Sequence, residues 1–160
     1  MKALKPILYA AALCGVLDIT AAWINSYMAS GVTFTRLLQG VAGGFLGRGA
    51  YQGGFAAPAL GLALHFTMAL IVASGFYALS RRFPLLLKHA VAAGLLYGAA
   101  VFAINNFGTA LLLSWVRSLY MHTAVVFKPP MGWSQLIIHL FCVGLPVALV
   151  IAHYSRKPSP

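Results

Sequence analysis

The sequence predicts an all-α membrane protein: four transmembrane helices in a bundle, forming one integral membrane domain over residues 1–160. Three observations predict it. The chain is 61% hydrophobic and 8% charged, with a mean hydropathy of +0.88. An ordinary soluble domain carries about 25% charged residues. Residues 49–80, 89–116 and 129–155 contain no Lys, Arg, Asp or Glu, and each run exceeds the ~20 residues that cross a hydrocarbon core. A fourth apolar run, residues 6–30, is interrupted only by Asp18, the one acidic residue of the chain.

The first span is placed at residues 6–28. It is longer than the 7–15-residue apolar core of a cleaved signal peptide. Leu13 before Cys14 lacks the small side chain of a lipoprotein cleavage site. The second span is placed at 57–79, the third at 89–114 and the fourth at 133–153. Between the first two lies GVTFTRLLQGVAGGFLGRGAYQGGFA, residues 31–56. Its apolar part, 37–46, is too short to span, so a re-entrant piece or an interfacial helix is expected there, with a surface loop as the plainer reading. Residues 115–132 read as an outer cap with a short apolar run at 124–127, and Pro129-Pro130 breaks the backbone before the fourth span.

Basic residues set the orientation. Lys2, Lys5, Arg81, Arg82, Lys88, Arg156 and Lys157 make seven on one side, and Arg36, Arg48, Arg117 and Lys128 make four on the other. The positive-inside rule puts both termini in the cytoplasm. Trp115, Tyr120 and Trp133 suit the outer interface as aromatic anchors. The net charge of +10 is therefore a property of span ends, and no nucleic-acid face is expected. Cys14 and Cys142 both fall inside spans, without disulfide or zinc spacing, and read as packing residues.

Helical spacing sorts the faces. Ala11, Gly15, Asp18, Ala22, Asn25 and Ala29 share one face of the first span. Gly61, His65, Met68, Val72 and Gly75 form a stripe on the second. Gly94, Gly98, Val101, Asn105 and Gly108 do so on the third, with Gly94 and Gly98 forming a small-xxx-small pair. His139, Val143, Pro146, Val150 and His153 do so on the fourth. Lipid cannot satisfy polar groups, so all four stripes are expected to turn inward. His65 lies 16 residues before Arg81 and His139 lies 17 before Arg156, which puts both imidazoles about 25 Å from the inner edge. Asp18 and Asn105 fall at similar depth. A 2+2 repeat is also expected. LALHF…SRR in the second span parallels LIIHLF…SRK in the fourth, and aligning Lys5 with Lys88 also aligns Gly15 with Gly98.

An intramembrane carboxylate costs roughly 2.5–3.5 kcal/mol on insertion scales, and such residues are by default functional. The plain alternative is that Asp18 ties its helix to His65, Asn105 or an outer-loop arginine. Three functions stay open. One is transport or permeation of a proton, ion or small solute along a path marked by Asp18, His65, Asn105, His139, Asn25 and Arg48. Another is a structural or accessory subunit without chemistry. The last is a b-type haem or metal site using His65 and His139. Enzymatic chemistry is not expected, because no nucleophile triad or phosphate loop is present. The partners expected are the lipid bilayer, a small solute or ion, and further copies of the chain, since 160 residues leave little room for an enclosed pathway.

Gly15-xx-Asp18-Ile19-Thr20-Ala21-Ala22 resembles the first span of small four-span bacterial proteins of the YagU-like group. Leu38-Gln39-Gly40-Val41-Ala42-Gly43-Gly44 with Gly47, and Gly61-xxx-His65, are further similar pieces. So are Gly94-xx-Tyr97-Gly98 with Asn105, and Ile138-His139 with Val143-Gly144-Leu145-Pro146. The resemblance implies a bacterial inner-membrane location and draws attention to Asp18, His65, Asn105 and His139. It implies no substrate.

Overall fold

The computed structural model describes residues 4–122 and 132–156, and every regular element among them is helical. Lys2, Lys128, Lys157, Pro129-Pro130 and the apolar run 124–127 lie outside the described residues. Helix α1 is Leu4–Ser30, α2 is Phe34–Leu46 followed by a 3-10 turn at Gly47–Tyr51, and α3 is Ala56–Arg82. A single turn, α4 (Leu85–Lys88), leads into α5 (Ala90–Ala103), which continues through a π-helical segment, Ile104–Thr109, into α6 (Ala110–Met121). Helix α7 (Trp133–Ile138) likewise continues through a π-helical segment, His139–Gly144, into α8 (Leu145–Arg156). Among the described residues, four helical runs are long and apolar enough to cross a membrane: Leu4–Ser30, Ala56–Arg82, Ala90–Leu119 and Trp133–Arg156.

Local signals mark the end of α1 and both ends of α2. Gly31 takes a left-handed φ of 68° that closes α1, a conformation open to glycine at little cost. Thr33 then starts α2: its hydroxyl accepts from the Arg36 amide at 3.3 Å, satisfying an otherwise orphaned donor. Gly47, at φ 59°, ends α2. The segment after the first span is thus a helix and a tight turn, not a surface loop.

The expected inward stripes are buried in part: Ala29, Gly108 and His153 are exposed instead, at or near the ends of their runs or at the π segment. Ala11, Gly15, Gly61, Val72, Gly94, Gly98, Val101, His139, Val143 and Pro146 are all buried. Outward positions such as Leu96 (74% exposed) and Ile104 (62%) carry large apolar side chains, as a lipid-facing surface requires. The core between α1, α3, α5 and α8 is built from small residues around Phe76, Val147 and Ile151.

Small residues matter because two crossings are backbone against backbone and a third, at Gly15, leaves no room for a side chain. A Cβ on Gly15 would stand 2.7 Å from Phe66 Cε1. One on Gly94 would stand 2.9 Å from the Gly144 carbonyl, and one on Gly98 would stand 2.9 Å from Leu140 Cα. A Cβ on Gly61 would stand 2.8 Å from the Leu38 carbonyl carbon, so α2 lies directly on α3. The Gly94 and Gly98 pair therefore has a glycine partner, Gly144, which spacing within one helix cannot identify. Helices in lipid gain their association from such close packing. Gly98→Leu is expected to destabilise the protein by about 1–3 kcal/mol or more. Thermal unfolding in detergent should show a clear drop relative to Gly108→Ala, whose Cβ would meet only Ile104 Cγ2 at 3.8 Å.

Candidate functional site

A cavity of about 620 Å³ lies between α1, α2, α3, α6 and the two π segments. Asp18, His65, Asn105 and His139 all line it. Its walls are otherwise largely apolar, with Val41 and Phe45 from α2, Met68 and Val72 from α3, and Leu113 from α6. A mainly apolar cavity with a few convergent polar groups is the usual form of a small-molecule site.

The geometry fixes proton positions on both imidazoles. His65 Nε2 lies 2.8 Å from the Gly15 carbonyl oxygen. A carbonyl only accepts, so Nε2 carries a hydrogen and donates it. The opposite nitrogen, Nδ1, stands 3.9 Å from Asp18 Oδ2, just beyond hydrogen-bond length. Nδ1 thus faces the carboxyl across a gap that no direct hydrogen bond closes.

His139 has the opposite tautomer. Its Nδ1 donates to the Gln135 carbonyl at 2.8 Å, leaving Nε2 as its free ring nitrogen. The Phe102 ring meets the imidazole edge-on, 5.6 Å between centroids. Both imidazoles lie within electrostatic reach of the Asp18 carboxyl. One carboxyl and two histidines from three separate helical runs thus share one cavity.

Gly15 makes this possible. Without a side chain it lets α3 approach until His65 reaches a main-chain oxygen of α1. The other pair of runs meets differently: Gly98 packs against the main chain of His139, whose ring bonds the Gln135 carbonyl. The two histidines differ in one respect. His65 precedes Ser80 by 15 residues and His139 precedes Ser155 by 16. The extra residue falls where the fourth run is π-helical, and a π turn is the place where a helix absorbs one more residue.

The other π segment shapes the far wall. Val101, Asn105, Thr109, Leu113 and Arg117 all line the cavity at intervals of four. In an unbroken α-helix each interval overshoots a turn by about 40°, so the set would wind roughly 160° away from the cavity. The π segment at Ile104–Thr109 absorbs one extra residue, about 100° of that drift. Asn105 stays on the cavity wall as a result. Its neighbour Asn106 is buried and donates from Nδ2 to the Phe102 carbonyl at 2.8 Å.

Arg117 is the charged cavity-lining residue that the sequence pattern did not single out. It counts among the outer charges by sequence position, yet it lines the cavity and donates from Nη1 to the Gly43 carbonyl of α2 at 3.3 Å. The signal that could have found it is the spacing of four from Asn105, which looks unhelical without the π segment. Asn25 and Arg48 are not brought to this cavity. Asn25 is half-buried near the end of α1, and Arg48 is exposed on the 3-10 turn.

No protein-family model matches the chain, and no curated protein or solved structure matches it.

The cavity's water access can be tested directly. In a Cys14→Ser/Cys142→Ser background, Thr109→Cys should react several-fold faster with a water-soluble thiol reagent than Leu96→Cys, which faces outward. Equal protection of both cysteines would mean the cavity is closed to water.

Proposed function

We propose that the chain is a multi-pass protein of the bacterial inner membrane that carries a small solute through its helix bundle, linked to proton movement at Asp18 and His65. The observation that carries this reading is the convergence of Asp18, His65 and His139 on one cavity, with His65 Nδ1 3.9 Å from Asp18 Oδ2. A carboxyl that only tied two helices together would need no adjoining space of about 620 Å³. The pair can take or release its proton within the site, and His139 Nε2 is a second acceptor nearby.

The remaining features fit the same reading. Both termini are cytoplasmic, with Arg81, Arg82, Lys88 and Arg156 at the inner ends of their runs. Gly61 lies 20 residues before Arg81, about 30 Å along α3 and so near the outer boundary of the hydrocarbon. Helix α2, seated on Gly61, is then an interfacial helix folded over the outer mouth of the cavity, with Arg117 holding it through Gly43. The parallel placement of His65 and His139 before Ser80 and Ser155 in the second and fourth runs supports a 2+2 repeat of helical hairpins. The fixed charge of Arg117 favours solutes with anionic character over cations.

The haem reading is less well supported. It asks for two free imidazole ligands, and His65 already gives Nε2 to Gly15 and presents Nδ1 to Asp18. An accessory role without chemistry would leave the protonation of Asp18 without consequence.

The test is flux in proteoliposomes carrying an internal pH dye. An inward acid gradient should drive uptake by the wild-type protein, and Asp18→Asn should lower it by about tenfold or more, since the substituted pair can no longer exchange its proton. His65→Gln should do the same with the fold intact by circular dichroism. Full flux in Asp18→Asn would overturn the proposal. Arg117→Glu should shift solute preference from anions toward cations.

A further inference from the structure

A second recess, of about 510 Å³, lies at the other end of the molecule between α4, α5 and α8. We infer that it binds an anionic phospholipid, one molecule to each chain. Lys88, His89 and Arg156 line it together with Val91, Leu95 and Leu149. Lys88 ends α4, His89 joins α4 to α5, and Arg156 ends α8. Arg156 Nη2 donates to the Leu87 carbonyl at 3.4 Å, which fixes its guanidinium beside the α4 turn with other donors still free to act. All three basic side chains are exposed.

No carboxylate side chain of the protein can neutralise this cluster. The one acidic residue is Asp18, which lines the other cavity beside His65. No described residue supplies a counter-charge, and the recess has the chemistry to receive one. Two permanent cations and an imidazole suit a phosphate group, with the guanidinium supplying directed donors. Val91, 56% exposed, and Leu149, 44% exposed, extend an apolar wall from the basic end along α5 and α8. That wall matches an acyl chain and has no use for a free ion. The basic end sits where two membrane-length runs terminate, the level at which lipid phosphates lie. Basic pockets between helix ends are the expected receptors for anionic headgroups.

The inference is independent of what the other cavity carries. Its test uses the full chain, stripped of lipid in detergent, with native mass spectrometry and thermal unfolding as readouts. The protein is titrated separately with phosphatidylglycerol, phosphatidylcholine and inorganic phosphate. Wild type should retain one phosphatidylglycerol, roughly tenfold or more in preference to phosphatidylcholine, and gain thermal stability from it. Lys88→Gln/Arg156→Gln should lose that preference, while Arg81→Gln/Arg82→Gln, with the same charge change at the end of α3, should keep it. Lys88→Arg should also keep it, which separates loss of charge from loss of fold. Equal retention of phosphatidylcholine, equal loss in the Arg81/Arg82 variant, or equal stabilisation by inorganic phosphate would overturn the inference.

Discussion

The hydrogen bond from His65 Nε2 to the Gly15 carbonyl is the contact on which the site depends. It joins α1 to α3 in the part of the chain poorest in polar groups, and it fixes the imidazole tautomer. With Nε2 committed, Nδ1 is the nitrogen that meets Asp18. The bond requires a helix approach that a side chain at position 15 would forbid, because Phe66 and Ala69 already occupy that space. A polar pair, a glycine and an aromatic neighbour therefore form one unit. Changing any of them alters the distance between carboxyl and imidazole.

The π segments perform a related task on the opposite wall. A regular α-helix advances 100° per residue, so a row of residues four apart drifts off any fixed surface. The segments Ile104–Thr109 and His139–Gly144 each interrupt that drift. They turn Asn105, Thr109 and Arg117 toward the cavity and place His139 against Gly98. The glycines Gly94, Gly98 and Gly144 allow the two irregular runs to pack backbone to backbone. Irregular main chain within an apolar protein is tolerated where it is covered by protein or lines a cavity.

Charge is distributed by the same economy. Eleven Lys and Arg residues face a single acid. That acid stands beside an imidazole in the cavity, and Arg117 lines the same cavity. At the other end Lys88, His89 and Arg156 gather with no acidic side chain beside them among the described residues. The two ends thus differ in kind: one sets a carboxyl beside an imidazole, and the other gathers exposed basic side chains.

The sequence by itself determined the four membrane-length runs, because hydropathy and the absence of charge are summed over many residues and do not depend on neighbours. It also determined which stripe of each run is buried, since Gly15, Gly61, Gly94, Gly98, Asp18, His65 and His139 fall at helical spacing. Only the tertiary structure decided that Asp18, His65, Asn105 and His139 meet in one cavity, that Gly144 is the partner of Gly94, and that α2 folds onto Gly61. It alone brought Arg117 to the cavity and left Asn25 and Arg48 away from it. The physical reason is that a helical pattern assumes a constant rotation per residue within one helix. The two π segments break that constancy, and the contacts that close the site run between helices whose relative placement no local period encodes.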